Sequence, residues 1–188
     1  MKQSERWKKH KREWSSCDKC ELCETRQSVV LFKGKIPCDI LFIGEAPKQS
    51  EDALGKPFVG RAGKYLDQML SRSIPQGTRF GFTNLIACIP LDPNEGMKLK
   101  QPHKDHIKAC TNRLVELFEL TNPRLLVYIG KLAEKHAPKM LKSVIGDTPS
   151  VMIHHPAYIL RADVTQRGLL AQQCEIWLHD AWEEVIPF

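Results

Sequence analysis

The sequence lacks any apolar run long enough to cross a membrane, and it lacks the apolar core of a secretory signal. No stretch of its 188 residues approaches the roughly 18–20 apolar residues that span a bilayer. The chain opens on MKQSERWKKH, which is mostly polar and basic. We therefore expect a cytoplasmic protein that has no membrane as a partner.

Internal repeats and low-complexity segments are also absent, and aromatic residues make up only 7% of the chain. Hydrophobic residues account for 42% and charged residues for 27%, which is the composition of a folded protein and not of a disordered one. The length suits one domain with a small appendage. We predict a basic N-terminal arm over residues 1–16, helical over 4–14, and a single domain over 17–188. We expect a monomer.

The chain also lacks the even number of cysteines that a fully paired set of disulfides needs, because it has seven. An odd count in a reducing compartment argues against a disulfide framework and favours metal ligands, reactive thiols or small core residues. Cys17, Cys20 and Cys23 form a C-x-x-C-x-x-C run, whose spacing is found in iron–sulfur proteins. Cys38 precedes an apolar run and Cys174 lies on the apolar stripe of a helix, so we predict that both are buried core residues.

Basic residues outnumber acidic ones by 28 to 22, and the excess is concentrated in two places. Residues 1–14 contain six basic and two acidic residues, and residues 98–113 contain five basic and one acidic residue. Such patches indicate a polyanionic partner such as nucleic acid. From charge alone, a solvated surface face explains them equally well.

Four apolar runs alternate with helix-like segments. The runs cover residues 40–44, 82–89, 125–130 and 151–154, and a shorter run covers 29–32. Helical spacing of apolar residues covers 62–72, the segment after Pro102, 131–140 and 165–184. Apolar strands that alternate with helices are typical of a parallel or mixed sheet covered on both faces. We therefore predict an α/β fold, a three-layer αβα sandwich around a mostly parallel sheet of four strands.

Polar side chains stand at the ends of these predicted strands. Glu45 follows the first strand, Asn84 lies within the second, and His154 and His155 end the fourth. Ligands of such folds bind at the carboxyl ends of the strands. We expect these side chains to converge on one crevice, except that His154 should point to the other side of its strand from His155.

Ordered motifs along the chain carry a resemblance to a known family. They are CDKCELCETR at 17–26, GEAP at 44–47 with GKPFVGRAG at 55–63, TNLIAC at 83–88, IKAC at 107–110 and HPAYILR at 155–161. Each is weak alone, but the ordered set resembles the family 4 uracil-DNA glycosylases, the iron–sulfur members of the uracil-DNA glycosylase superfamily. The resemblance implies a uracil-DNA glycosylase-like fold and a monofunctional, prokaryotic-type repair enzyme. Such an enzyme hydrolyses the N-glycosidic bond of uracil in DNA and leaves an abasic site.

The resemblance also implies a [4Fe–4S] cluster. The positions that match the family's ligands are Cys17, Cys20, Cys88 and Cys110. From spacing alone, a structural zinc ion on the same four thiolates is as good an interpretation. Cys23 is then a spare thiol nearby, and it is the substitute if one of the four is assigned wrongly. The implied role of the cluster is structural.

The resemblance assigns the uracil pocket residue by residue. Asn84 matches the amide that pairs with uracil O4 and N3–H, and Phe58 matches the aromatic ring that stacks on the base. The backbone N–H around Ala46 donates to a uracil oxygen, and His155 donates to the charge that develops on O2. Ala46 occupies the place of the water-positioning Asp used elsewhere in the superfamily. Water positioning is therefore assigned to Glu45 or Glu51, either of which could instead cap a helix.

Five basic residues are predicted to contact DNA, and they are Lys48, Arg61, Lys98, Lys100 and Arg161. Lys48 replaces a glycine of the family motif, and residues 89–101 depart from the family's loop. These departures keep open a second hypothesis, a cluster-containing relative that binds DNA without cleaving it. A zinc-bearing nucleic-acid-binding protein is the third. The sequence does not choose between single- and double-stranded DNA.

Overall fold

The computed structural model describes residues 2–185 and places a five-stranded sheet between two layers of helices. Met1 and residues 186–188 of the predicted arm and domain lie outside the described residues. The strands are β1 (Lys33–Gly34), β2 (Ile40–Gly44), β3 (Phe80–Asn84), β4 (Leu91–Asp92), β5 (Lys98–Leu99), β6 (Leu125–Ile129) and β7 (Ser150–Ile153). The helices are α1 (Gln3–Trp14), α2 (Gln49–Leu54), α3 (Arg61–Ser73), α4 (Lys104–Ala109), α5 (Thr111–Thr121), α6 (Lys131–Leu141), α7 (Pro156–Arg161) and α8 (Val164–Glu183).

The main sheet has the strand order β1-β3-β2-β6-β7. Four of its strands are parallel to one another, and they are the four that the apolar runs predicted: β3, β2, β6 and β7. The predicted count of four was nevertheless wrong, because the two-residue strand β1 adds an antiparallel edge beside β3. β4 and β5 form a separate small hairpin.

Each face of the sheet buries its own core, which confirms the three-layer sandwich. Leu41 and Ile43 of β2 pack with residues of α5 and α6. Ile40 and Phe42, which alternate with them along the strand, pack with residues of α3 and α8 on the other face. All five residues of β2 are buried, as a parallel strand between two helical layers requires.

The second predicted strand was too long. It was expected over 82–89, but β3 ends at Asn84. Leu85, Ile86 and Cys88 are apolar because they are buried in the core beside the sheet, and they lie outside any strand. Periodicity alone could not separate the strand from the buried segment that follows it.

The N-terminal segment forms the helix α1, which packs on the rest of the described chain. α1 lies against α5. The indole N–H of Trp14 donates to Glu116 Oε2 at 2.7 Å, and Nδ1 of the buried His10 lies 3.0 Å from the same oxygen. None of the described helices combines the length and apolar character that crossing a membrane demands.

Candidate active site and cysteine site

A cavity of about 210 Å³ opens where β2, β3 and β7 end. Its lining includes all four residues predicted to bind uracil, which are Ala46, Phe58, Asn84 and His155. The cavity is smaller than the roughly 300–1,000 Å³ of pockets for drug-sized ligands, and its size suits a single base. Asn84 and His155 therefore converge on one crevice as expected, whereas Glu45, which was expected with them, lines a neighbouring cavity.

Asn84 presents an unsatisfied amide at this cavity. It is the last residue of β3 and only 2% exposed, and its Nδ2 has no hydrogen-bond partner within residues 2–185. Gly44 of the neighbouring strand makes room for it, because a Cβ there would lie 2.4 Å from Asn84 Oδ1 and 2.6 Å from the Phe58 ring. A buried amide without a partner is costly unless a ligand supplies one.

Phe58 is held in a left-handed backbone conformation, with φ +53°. Glu51 Oε1 accepts a hydrogen bond from the Phe58 N–H, and Lys33 Nζ donates to the Phe58 carbonyl at 3.2 Å. Gly63 of α3 allows the backbone to pass, because a Cβ there would lie 2.1 Å from the Phe58 oxygen. These contacts hold the ring against the cavity in a backbone conformation that is unfavourable for phenylalanine.

His155 is the N-cap of α7, and its Nδ1 accepts a hydrogen bond from the Ala157 N–H at 3.1 Å. This bond places the proton of the neutral ring on Nε2, which becomes a donor. Burial, together with the charges of Lys48 and Arg161, lowers the pKa of His155 to about 4. His154 packs on Trp177, with ring centroids 5.4 Å apart, and is outside the cavity lining, as predicted.

The two candidate carboxylates occupy different surroundings. Glu51 lines the cavity, but both of its oxygens are taken by the backbone: Oε2 accepts from the Lys48 N–H at 2.8 Å and Oε1 from Phe58. Burial raises the pKa of Glu51, and these two hydrogen bonds oppose the shift. Glu45 is half-buried and lines a second cavity of about 370 Å³. His155 lines both cavities and so stands between them.

The structure brings together three of the five basic residues predicted to contact DNA. Lys48 and Arg61 are exposed at the first cavity, and Arg161 is exposed at the second. Lys98 and Lys100 lie on the β4–β5 hairpin and pair with acidic neighbours instead. Lys98 Nζ is 3.4 Å from a Glu95 oxygen, and Lys100 pairs with both Glu95 and Asp92.

One residue of the second basic patch, Arg113, does not lie at the surface. It is 1% exposed and lies in the core. No periodicity signal distinguishes it, because a charged residue on a helix is ordinarily at the surface. Its guanidinium donates to Thr83 Oγ1 and to the carbonyls of Asn84 and Leu85, so it lies directly behind the cavity.

The four cysteines predicted as cluster ligands lie in one region, the cysteine site. The thiols of Cys17 and Cys110 are near enough to Cys20 for their ionised forms to raise its pKa, and Cys110 and Cys20 act in the same way on Cys88. Burial is the largest cause of both shifts and raises the pKa of Cys88 to about 12. Arg26 NH1 donates to Cys88 Sγ at 3.5 Å, so a cation faces the thiols. Within residues 2–185, no three His, Cys, Asp or Glu side chains are grouped as ligands of one metal ion.

Two of the other three cysteines are core residues, as predicted. Cys38 and Cys174 are buried in the two cores, where burial raises their thiol pKa values to about 12 and about 11. Cys23 ends a short 3₁₀ turn, Glu21–Cys23, that directly follows Cys20.

Comparison with known proteins identifies the family. Residues 32–178 match the family model described as the uracil DNA glycosylase superfamily. The chain is 30% identical over 164 residues to a type-4 uracil-DNA glycosylase of Pyrobaculum aerophilum, covering 78% of this chain and 80% of the relative. It is 35% identical over 140 residues to a type-4 uracil-DNA glycosylase of Sulfurisphaera tokodaii, covering 74% of this chain and 59% of the relative.

A solved structure agrees on the fold. The SMUG2 protein of Pedobacter heparinus superimposes with a TM-score of 0.57 at 14% identity, over 78% of this chain and 75% of that one. At this identity the likeness concerns the fold alone. The family model covers most of the chain, and the Pyrobaculum relative is matched over most of its own length. The chain therefore belongs to the uracil-DNA glycosylase superfamily and, within it, to the type-4 uracil-DNA glycosylases.

Proposed function

We propose that this protein removes uracil from DNA by hydrolysing the bond between uracil N1 and the sugar C1′, leaving an abasic site. The observation that carries the proposal is the buried, unpartnered Asn84 amide in a base-sized cavity with Phe58 and His155. An enzyme that acts on a base must take it out of the stack and read its edge in such a pocket. DNA that contains uracil, single- or double-stranded, is the proposed partner of a monomeric, cytoplasmic enzyme.

Asn84 supplies the specificity. Its Nδ2 donates to uracil O4, and its Oδ1 accepts from N3–H. Cytosine presents a donor and an acceptor in the reverse order, so one of its groups would be left unpaired in a buried site. Phe58 stacks on the base, and the Ala46 backbone N–H donates to a uracil oxygen.

His155 acts on the leaving group. When the glycosidic bond breaks, its electron pair moves onto uracil and charge develops on O2, while the sugar gains oxocarbenium character. The neutral His155 ring donates its Nε2–H to O2, because Nδ1 is occupied by the Ala157 N–H. A water oxygen then bonds to C1′, and its proton leaves to the solvent or a carboxylate.

The structure supports different roles for the two carboxylates. We assign water positioning to Glu45, which shares a cavity with His155. Glu51 is assigned to positioning Phe58, because both of its oxygens already accept backbone hydrogen bonds. Lys48, Arg61 and Arg161 surround these cavities and contact the phosphates, whereas the paired Lys98 and Lys100 contribute less.

We propose that the cysteine site holds a [4Fe–4S] cluster. Four thiols from distant parts of the chain lie in this region, each of which could bind a different iron, and Arg26 and Arg113 provide positive charge beside them. When bound, the cluster would supply a rigid link between the N-terminal segment and the helices that begin at Lys104 and Thr111. A purified sample should absorb near ~400 nm and contain iron and sulfide. A colourless sample prepared without oxygen that contains zinc would contradict this assignment.

The test of the activity uses a labelled oligonucleotide that contains one uracil. Incubation followed by alkali should cleave the strand at the uracil, and the same oligonucleotide with thymine should stay intact. Intact DNA binding without alkali-labile sites would overturn the glycosylase proposal and favour the DNA-binding relative.

A further inference from the structure

The buried arginine of α5 pairs with no carboxylate within residues 2–185. Arg113 is 1% exposed, and its guanidinium donates to Thr83 Oγ1 at 3.0 Å, to the Asn84 carbonyl at 2.5 Å and to the Leu85 carbonyl at 3.0 Å. All three acceptors are neutral, and Nε has no partner within the described residues. A guanidinium stays charged in proteins, so burial without a counter-charge costs several kcal/mol.

The cysteine site lies on the other side of this guanidinium. Cys110 directly precedes α5, three residues before Arg113, so the two side chains lie on the same side of the helix. The thiols of Cys110, Cys88 and Cys17 are the cysteine neighbours of this guanidinium. Arg113 therefore stands between the thiols and the strand end that carries Asn84.

We propose that Arg113 is a positioning residue that balances the negative charge of the thiolate-bound cluster and holds the end of β3 in the geometry that binds uracil. This inference rests on the proposed function, since it requires both the cluster and the uracil pocket. No bond is made or broken in it. The charge of the cluster fixes the guanidinium, and the guanidinium fixes the carbonyls of Asn84 and Leu85 and the hydroxyl of Thr83.

The arrangement has a direct consequence for the protein without its cluster. Without the cluster, Arg113 is a buried cation whose three hydrogen-bond acceptors are all neutral, which favours its movement toward water. The hydrogen bonds to Asn84 and Leu85 are then lost, and the recognition amide loses its position. Loss of the cluster thus weakens uracil binding although no ligand cysteine lines the base cavity.

Three variants test the proposal. Arg113→Met keeps the volume without the charge, and Arg113→Lys keeps the charge with fewer donors in a different geometry. Arg72→Met removes an exposed arginine that pairs with Glu175 on the far helices and serves as the control. The readouts are iron content, the rate of cluster loss to a chelator without oxygen, and the affinity for free uracil.

We expect Arg113→Met to lose its cluster several-fold faster and to bind uracil at least about 10-fold more weakly. Arg113→Lys should restore cluster retention and only part of the uracil affinity, because one ammonium cannot reach all three acceptors. Arg72→Met should match the wild type in both. An Arg113→Met protein that retains both cluster and uracil affinity at wild-type levels would overturn the inference.

A second measurement covers the case in which Arg113→Met does not fold. The wild-type cluster is removed by chelation, circular dichroism checks that helices remain, and uracil affinity is measured again. A loss of at least about 10-fold supports the inference, and an unchanged affinity overturns it. A wild type that holds zinc refutes the cluster assignment, and one that does not bind uracil refutes the proposed pocket; either result removes the basis of this inference. A wild type that holds the cluster and binds uracil, with normal variants, refutes the Arg113 role alone.

Discussion

At the scale of single residues, some polar groups of the base cavity are already committed to the backbone, whereas others are available to a base. Glu51 and Nδ1 of His155 bond to backbone N–H groups, whereas the Asn84 side-chain nitrogen has no partner within residues 2–185. Asn84 is therefore free to read a base, and the other two groups fix the shape around it.

Replacing Asn84 by Ala tests this assignment. Two hydrogen bonds to a buried base are worth about 3 kcal/mol together, so kcat/KM on a uracil oligonucleotide should fall roughly 100-fold or more. Unfolding temperature and iron content should stay near wild type, because the amide nitrogen makes no contact that stabilises the fold. Asn112→Ala on the exposed side of α5 is the matched control. Full activity in Asn84→Ala would show that the base binds elsewhere.

The low pKa of His155 predicts how activity depends on pH. A ring that works as a neutral donor should keep working as the pH falls through 6.5, its ordinary value, and should fail only near pH 4. Protonation at Nδ1 would also break the bond to the Ala157 N–H that begins α7. We expect the acid limb of kcat/KM near pH 4, and its absence in the residual activity of His155→Gln. A wild-type midpoint near 6.5 would contradict the neutral-donor role.

The same shift affects stability with a definite sign. The folded pKa of His155 lies below the unfolded one, so the unfolded chain binds the proton first. The titration of His155 does not reduce the free energy of unfolding above pH 6.5, but it reduces that free energy progressively as the pH drops from 6.5 to about 4. Urea unfolding of the wild type and His155→Gln across this range should show a difference in free energy that changes with pH below 6.5 and becomes constant above it.

Single-residue roles could be predicted where a motif assigns them, and not where they depend on contacts. The motifs identified Asn84, Phe58 and His155, and the structure brings all three to one cavity. They could not show that both oxygens of Glu51 are occupied, because the Phe58 N–H reaches it only through a left-handed turn seven residues later. Nor could they show that Arg113 is buried, since burial of an arginine depends on its surroundings and not on its spacing.

At the scale of elements, the segment between α2 and α3 places Phe58. Glu51 holds the N–H of Phe58 from one side, Lys33 of β1 holds its carbonyl from the other, and Gly63 of α3 admits the backbone. The edge strand that the sequence did not predict therefore contributes directly to the cavity.

Glu51→Gln and Lys33→Met test whether these two hydrogen bonds hold the Phe58 backbone in place. Glu51→Gln keeps one acceptor oxygen, so it should raise KM more than it lowers kcat, and Lys33→Met should act in the same direction. Their effects should be non-additive in a double-mutant cycle, because both act through the Phe58 backbone. Lys35→Met, an exposed neighbour, is the control for Lys33. A large fall in kcat with unchanged KM in Glu51→Gln would instead indicate a role with water.

Elements were predicted well where one physical cause dominates. The four parallel strands follow from apolar runs buried on both faces, and α3 and α8 follow from helical spacing. The short helices α2 and α7 have six residues each and too few turns to show a period. The helix after Pro102 was expected to be continuous, but α4 ends at Ala109, and Cys110 lies between it and α5.

At the scale of the whole molecule, positive charge is effective only where it is unpaired. Lys98 and Lys100 share Glu95, whereas Arg61 and Arg161 are exposed at the cavities. Each phosphate contact contributes about 0.7 to the salt slope of binding to single-stranded DNA. We expect Arg61→Gln and Arg161→Gln each to reduce the slope by up to about this amount, and Lys98→Gln and Lys100→Gln to change it little. Equal effects from all four would contradict this ranking.

Replacing single cysteines by serine distinguishes the proposed cluster ligands from the other cysteines. Cys88→Ser should lose iron and unfold at a lower temperature, because it removes one of the four proposed ligands. Cys38→Ser is the matched control, since this thiol is equally buried but belongs to the core. Cys23→Ser should keep its iron. Loss of iron in Cys23→Ser but not in Cys17→Ser would show that Cys23 is the true ligand.

The docking of α1 has a consequence for the order of events during synthesis. Trp14 reaches its partner Glu116 across 102 residues, so α1 leaves the ribosome well before α5 and waits for it. A twelve-residue helix is marginal by itself in water. α1 must therefore close over a body that has already collapsed, and until then Trp7 and Trp14 are exposed to chaperones and proteases. The beginning of this chain is among the last of its parts to fold.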